Sequence, residues 1–187
     1  MKKRMLILGI SVWLSVVAAE TGWSATPPME RKIHAGLAVG FGLPKISFSQ
    51  FRTPISVLGG GSVNLRLMNR IVLQAGGYGL HTFSLGKINR QEGELIFDLV
   101  WASVDLMYRM RGGFSAESFV LLGGGGYHFT KQFGFDKIIV DTPGLSLGIS
   151  QWFYRKNWSS VLEIKWHLLF RPSDHPQVLT VTFGLML

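Results

Sequence analysis

Residues 178–187 read Val-Leu-Thr-Val-Thr-Phe-Gly-Leu-Met-Leu, and every second residue from Leu179 to Leu187 is large and apolar. The residues that alternate with them, from Val178 onward, are Val, Thr, Thr, Gly and Met. A period of two is the pattern of a β-strand that has one apolar face and one smaller or more polar face. This stretch therefore predicts a strand that separates an apolar environment from a polar one.

Seven further segments show strand patterns, which makes eight in total. They are residues 31–42, 56–68, 71–83, 95–110, 117–129, 145–154 and 158–170, in addition to 178–187. Most are long enough for the ~9–11 residues with which a tilted strand crosses the hydrocarbon of a membrane. An even number lets the first and last strands pair and leaves no free edge. The sequence therefore predicts an all-β fold, an eight-stranded antiparallel transmembrane β-barrel of up-and-down topology.

Two features of this pattern are ambiguous. The third and fifth segments are so rich in Gly that their faces cannot be assigned. In the fourth segment Asp98 falls on the apolar face, together with Val100 and Val104. We therefore expect Asp98 to lie above the hydrocarbon or beside a β-bulge.

The connections between the segments alternate in length. Those after the second, fourth and sixth strands are short, whereas residues 43–55, 84–94, 130–144 and 171–177 form longer links. Outer-membrane barrels have tight periplasmic turns and longer outer loops. The alternation therefore predicts a barrel in the cell outer membrane with both termini in the periplasm.

Aromatic residues cluster near the predicted ends of the strands. Barrels in membranes carry aromatic girdles at both interfaces. The predicted outer girdle consists of Phe41, Phe83, Phe97, Phe129, Trp166 and Phe170, and the predicted periplasmic girdle of Tyr108, Phe114, Phe153, Tyr154 and Trp158.

The N-terminus has the pattern of an export signal. Lys2, Lys3 and Arg4 precede an apolar run over residues 5–17, and small residues at 17–19 suit cleavage before Glu20. Residues 22–24 offer a second option, with cleavage before Ala25. The predicted domains are therefore a cleaved signal peptide (1–19), a short periplasmic segment (20–30) and the barrel (31–187).

Composition excludes several classes of function. The 187 residues include no Cys, so thiol chemistry and thiolate metal sites are impossible. The formal net charge is +8, but the basic residues are dispersed along the chain, so we expect no nucleic-acid partner. Anionic lipid headgroups are the expected electrostatic partner. The Gly clusters complete no phosphate-binding motif, and we expect no cofactor and a monomeric protein.

Ionisable residues fall into three groups. We expect the first to form a polar network that fills the lumen, because a small barrel has no room for an open pore: Arg66, Asp105, Arg109, Glu163 and Lys165. The second, with its aromatic neighbours, is a set of candidate contacts on the outer loops: Lys45, Arg52, Lys131, Phe133, Phe135 and Lys137. The third consists of histidines near the outer rim, where a metal site would need three of them to converge: His81, His128, His167 and His175.

The export signal, the eight alternating segments and the ending quoted above resemble the small OmpA/OmpX-type outer-membrane barrel domains. The resemblance implies a non-enzymatic integral outer-membrane protein with a role in envelope integrity or surface interaction. It implies outer-membrane lipid and lipopolysaccharide as surroundings and the barrel-assembly machinery as a partner during insertion. Members often end on Phe or Trp, whereas this chain ends on Leu187.

Two alternatives stay open. A lipid A-modifying enzyme, an acyl hydrolase or transferase, would place its chemistry around His167, Ser173, Asp174 and His175, although Leu169 stands where the deacylase family has its nucleophile. A soluble periplasmic barrel of the lipocalin type would instead hold an apolar ligand inside. Alternation alone does not separate the two kinds of barrel, because it does not say which face is outside.

Overall fold

The computed structural model describes residues 32–45, 56–82, 95–112, 116–133, 136–154, 159–171 and 176–186. The described residues form eight antiparallel strands that close into one barrel in sequence order, which confirms the predicted fold. Among these residues, no helix is long and apolar enough to cross a membrane. The strands are β1 (Ile33–Lys45), β2 (Ser56–Met68), β3 (Ile71–Thr82), β4 (Leu95–Gly112), β5 (Ala116–Phe133), β6 (Asp136–Tyr154), β7 (Ser159–Leu169) and β8 (Gln177–Met186).

The two ends of the barrel differ. We call the end where β2 meets β3, β4 meets β5 and β6 meets β7 the turn end, and the opposite end the loop end. The first residue of β1 and the last residue of β8 both lie at the turn end, because Ile33 pairs with Leu65 and Met186 pairs with Ser159.

The pairing registers show how far the strands are staggered around the barrel. A line of directly paired residues that starts at Arg66 on β2 passes through the other seven strands and returns to β2 at Ser56, ten residues away. A stagger of this kind tilts the strands by roughly 35–45° from the barrel axis, and an eight-stranded barrel then has an interior that side chains can fill.

The main difference from the predicted boundaries lies between β5 and β6. The sequence predicts a loop over residues 130–144, but β5 continues to Phe133 and β6 begins at Asp136. The prediction is wrong because β5 pairs with β4 as far as Phe133, opposite Leu95, and residues 136–144 of β6 pair with β5, which holds both stretches extended despite the Gly and Pro residues. Residues 43–45 likewise belong to β1 and not to the following loop, because they pair with residues 177–179 of β8.

Apolar side chains face outward and small or polar side chains face inward. On β1, Leu37 and Val39 are exposed, whereas His34 is buried in the lumen. The Gly-rich strands follow the same rule: Gln74 and Tyr78 of β3 point inward, as does Tyr127 of β5. The few large residues on these Gly-rich strands therefore show which face of each strand points into the lumen.

Two predictions about individual positions have different outcomes. Asp98 lies on the outward face at the loop end, where its side chain bonds to His81. Phe129 and Tyr154, which the sequence places in the aromatic girdles, are buried in the lumen, so that prediction is wrong for both. The period of two assigns them to the inward face of their strands, and the lumen near each end is wide enough to hold an aromatic ring.

Small residues on the inner face of β1 let β8 approach and close the barrel. A Cβ atom at Gly40 would collide with the backbone carbonyl oxygen of Val181 on β8. The seam between the first and last strands therefore needs Gly at this position.

Candidate functional site

Four side chains from three strands meet in the middle of the lumen, and we call them the central cluster: Gln74, Asp105, Glu163 and Lys165. The ammonium group of Lys165 donates to Asp105 Oδ2 at 2.7 Å and to Gln74 Oε1 at 2.7 Å, and it lies 2.8 Å from Glu163 Oε1. Gln74 Nε2 donates to Glu163 Oε2 at 3.3 Å. The three charged side chains are each 5% exposed or less. The formal charges of these three side chains sum to −1, and the hydrogen bonds join all four side chains of the cluster.

Apolar layers seal the central cluster on both sides. Along β4 the inward residues are Trp101, Ser103, Asp105 and Met107, so the Asp105 carboxylate and the Ser103 hydroxyl that donates to it lie between two apolar side chains. The layer toward the loop end contains Leu58, Tyr78, Leu80, Leu99, Trp101, Tyr127, Phe129, Leu169 and Val178. The layer toward the turn end contains Val72, Met107, Phe119, Leu121, Trp152, Tyr154, Val161 and Met186. Together they separate the charges from water.

A second ionic group lies near the turn end, around the carboxylate of Glu117. Arg66 Nη2 donates to Glu117 Oε2 at 2.5 Å, and Arg109 Nη1 donates to Glu117 Oε1 at 2.6 Å. The hydroxyl of Tyr154 also donates to Glu117. Two guanidinium groups and a phenol thus surround one fully buried carboxylate.

His167 lies inside the barrel and not at its outer rim. Its Nδ1 is 3.0 Å from the hydroxyl of Tyr127, and its Nε2 is 3.2 Å from Oγ1 of Thr180. The Thr180 hydroxyl donates to the carbonyl oxygen of Lys165, so it accepts from Nε2–H, while Nδ1 accepts from Tyr127. The imidazole is fully buried, and its ring lies edge-on to Trp101 at 5.1 Å.

The predicted lumen residues therefore divide between two separate groups. Asp105, Glu163 and Lys165 belong to the central cluster, whereas Arg66 and Arg109 meet around Glu117. Within the described residues, no three His, Cys, Asp or Glu side chains are arranged to hold a metal ion. In both groups, side chains of opposite charge form ion pairs and occupy the lumen.

Sequence reasoning missed Glu117 and Gln74. Glu117 is the only acidic residue at the start of the fifth segment, opposite two basic residues in the second and fourth, and this charge pattern could have identified it. Gln74 lies in a Gly-rich strand whose faces could not be assigned, so no signal pointed to it.

The predicted outer-loop contacts are only partly described. The backbone of Lys45 ends β1, and those of Lys131, Phe133 and Lys137 belong to the β5–β6 hairpin. Arg52 and Phe135 lie outside the described residues, as do Ser173, Asp174 and His175. Of the residues considered for lipid A chemistry, only His167 is therefore placed, and its side chain faces the lumen.

The barrel is similar to several solved structures. Neisserial surface protein A has a TM-score of 0.66 with this chain at 8% sequence identity, and the alignment covers 84% of this chain and 97% of that one. This chain has the fold of the small eight-stranded outer-membrane barrels. The N-terminal barrel domain of Pseudomonas aeruginosa OprF aligns with a TM-score of 0.53 at 12% identity, covering 84% and 98% of the two chains.

A third similar structure is Ail, the attachment invasion locus protein of Yersinia pestis. It has a TM-score of 0.52 and 12% identity, and the alignment covers 84% of this chain and all of that one. No known protein family matches the sequence, and no curated protein matches it either. The likeness is therefore one of fold.

Proposed function

We propose that this protein is a non-enzymatic integral barrel of the outer membrane, with a closed lumen and with interactions at its loop end. The observation that carries the proposal is the inverted distribution of polarity. Leu37 is 77% exposed and Val39 is 67% exposed, whereas Asp105 and Glu163 are buried. Water would penalise such a surface by ~25 cal/mol for each Å² of apolar area, whereas hydrocarbon would not. This distribution argues against the soluble lipocalin-like alternative.

Carbonate extraction of membranes tests the location. We expect the protein to stay in the pellet and to be recovered with the outer-membrane fraction. Release into the soluble phase would refute the proposal. Mass spectrometry of lipid A from cells with and without the protein tests the non-enzymatic part, and a changed acyl pattern would contradict it.

The closed lumen predicts that the barrel does not conduct. Two apolar layers and the central cluster occupy the interior, and eight strands enclose too little space for water to pass beside them. Purified protein in planar bilayers should therefore show no stable openings of large conductance. Reproducible openings would mean that the lumen contains continuous water.

The proposed orientation places the turn end in the periplasm and the loop end at the cell surface, after cleavage of residues 1–19 and insertion as a monomer by the barrel-assembly machinery. Because the chain has no Cys, a single introduced cysteine can report the orientation of the barrel. Ile139→Cys lies at the loop end, on the part of β6 beyond its last pair with β7, and Met68→Cys lies at the turn end; both positions are exposed. A membrane-impermeant maleimide on intact cells should label the first and not the second. The reverse result would invert the orientation.

Lipopolysaccharide is the proposed partner of the loop end. β6 residues 136–141 extend beyond the last pair between β6 and β7, Gly144 with Leu169, so the hairpin that carries Lys131 and Lys137 projects from the barrel. The name of Ail links one protein of this fold to attachment. Lys131→Glu/Lys137→Glu should weaken binding to purified lipopolysaccharide by roughly tenfold at low salt, whereas Lys32→Glu at the turn end should not. Equal binding by both variants and the wild type would refute the assignment.

A further inference from the structure

Basic residues lie side by side along one part of the turn end. Lys32 precedes β1, Arg66 lies on β2, Arg70 precedes β3 and Arg109 lies on β4. The backbone joins them in two pairs, since Arg66 N donates to Lys32 O at 2.8 Å and Arg109 N donates to Arg70 O at 2.8 Å. We call these four residues the basic arc. Because neighbouring strands are ~4.8 Å apart, an arc from β1 to β4 covers roughly 15 Å of the barrel edge.

The basic arc carries an excess of positive charge. Arg66 and Arg109 share the buried carboxylate of Glu117, so the arc and this carboxylate together have a formal charge of +3. Within the residues that the structure describes, no carboxylate forms an ion pair with Lys32 or Arg70. Both of these side chains are exposed. Two cations of the arc are therefore available to an anionic partner outside the barrel.

The basic arc borders the apolar outer wall. Ile33, next to Lys32, is 60% exposed, and Met68, two residues before Arg70, is 68% exposed. Tyr108 is half exposed, and its hydroxyl accepts a hydrogen bond from Arg70 Nη1 at 3.3 Å. A Tyr with an apolar ring and a polar tip is typical of a membrane–water interface. The two available cations therefore lie where the apolar wall ends, at the level of lipid headgroups.

We propose that the basic arc binds the phosphate of an anionic phospholipid in the periplasmic leaflet, with the acyl chains on the apolar wall beside it. This inference rests on the proposed location and orientation of the barrel. The guanidinium group of Arg70 can donate two N–H bonds to one phosphate, whereas Lys32 acts as a point charge. A basic residue near a membrane surface strengthens binding of anionic lipid by about fivefold.

Two observations define the class of partner. A soluble acidic protein would match the charge of the basic arc but would leave the exposed side chains of Ile33 and Met68 without an apolar partner. The acyl chains of a lipid cover them. Phosphatidylethanolamine carries its own ammonium group and has no net charge, so it gains less from the arc than phosphatidylglycerol does. A net negative phospholipid therefore fits both the charge and the apolar surroundings.

Native mass spectrometry of purified barrels, titrated with phosphatidylglycerol or with phosphatidylethanolamine of the same acyl chains, measures this preference. Wild-type protein should bind phosphatidylglycerol at least about fivefold more tightly, and Lys32→Gln/Arg70→Gln should reduce the preference to less than about twofold. The matched control, Lys131→Gln/Lys137→Gln, removes two positive charges from the β5–β6 hairpin at the loop end and should keep the wild-type preference. Equal binding of the two lipids by the wild type, or an equal loss in both double variants, would overturn the proposal.

Ionic strength provides a second test. Raising ammonium acetate from about 0.05 to 0.5 M should lower the wild-type preference toward that of Lys32→Gln/Arg70→Gln, because salt screens exposed charges. A preference that does not change with salt would overturn the ionic contact. Gel mobility of unheated samples verifies that every variant is folded. Carbonate extraction and maleimide labelling test the location and orientation separately, so their failure is distinguishable from a loss of the lipid preference.

Discussion

Replacing Lys165 by Met removes the only positive charge from the central cluster and should strongly destabilise the barrel. The variant keeps most of the side-chain volume but leaves Asp105 and Glu163 facing each other, without the three contacts of 2.7–2.8 Å that Lys165 supplies. Removing one partner of a buried ion pair typically costs ~3–5 kcal/mol, because the other charge stays buried. We expect a loss in this range.

Reversible urea unfolding in lipid vesicles measures this loss, with gel mobility of unheated samples and tryptophan fluorescence as the two readouts. Lys32→Met is the matched control, since Lys32 is exposed at the turn end, and it should change the unfolding free energy by less than about 0.5 kcal/mol. The triple variant Lys165→Met/Asp105→Asn/Glu163→Gln should recover most of the loss because no charge stays unpaired. A loss below about 1 kcal/mol for Lys165→Met alone would show that water reaches the cluster and would refute the sealed lumen.

Three further predictions use the same unfolding measurement. Glu117→Gln leaves two guanidinium groups without a counter-charge and should cost about 2–4 kcal/mol, whereas Tyr154→Phe removes one hydrogen bond and should cost about 1 kcal/mol; equal losses would argue against an ionic role. Gly125→Ala should destabilise by roughly 1–3 kcal/mol because its Cβ would collide with the carbonyl oxygen of Ala102, whereas Gly126→Ala, which faces open space, should be neutral or slightly stabilising. Raising NaCl from about 0.1 to 1 M should change wild-type stability by less than about 0.5 kcal/mol, since ions cannot screen a sealed cluster; a larger change would place the charges in contact with solvent.

Much of the fold could be predicted because a barrel wall imposes a period of two on every strand. That period alone places Asp105, Glu163 and Lys165 on inward faces. The period does not show which of these side chains contact each other. Contacts across the lumen depend on the ten-residue stagger between the strands, and no single strand encodes that stagger. The pairing of Lys165 with Gln74 on β3 is an example.

The errors of sequence reasoning also have physical causes. Distance along a strand predicts that His167 and Phe129 lie at the rim, but the lumen extends as far as the strands do, and the parity of both residues directs them inward. The β5–β6 hairpin looks like a loop because Gly and Pro disfavour regular structure. Hydrogen bonding of β5 to β4 and of β6 to β5 outweighs that preference, and this information lies in the neighbouring strands.

The central cluster also constrains the order of assembly. Two of the residues that contact Lys165, Asp105 and Gln74, are 60 and 91 positions away in the chain, on strands at the far side of the lumen. In an unclosed sheet of β3 to β7, Lys165 could keep Glu163 of its own strand as a partner, but it would lack Asp105 and Gln74. These two contacts require the wall to curve round the lumen, so a flat, partly assembled wall lacks them.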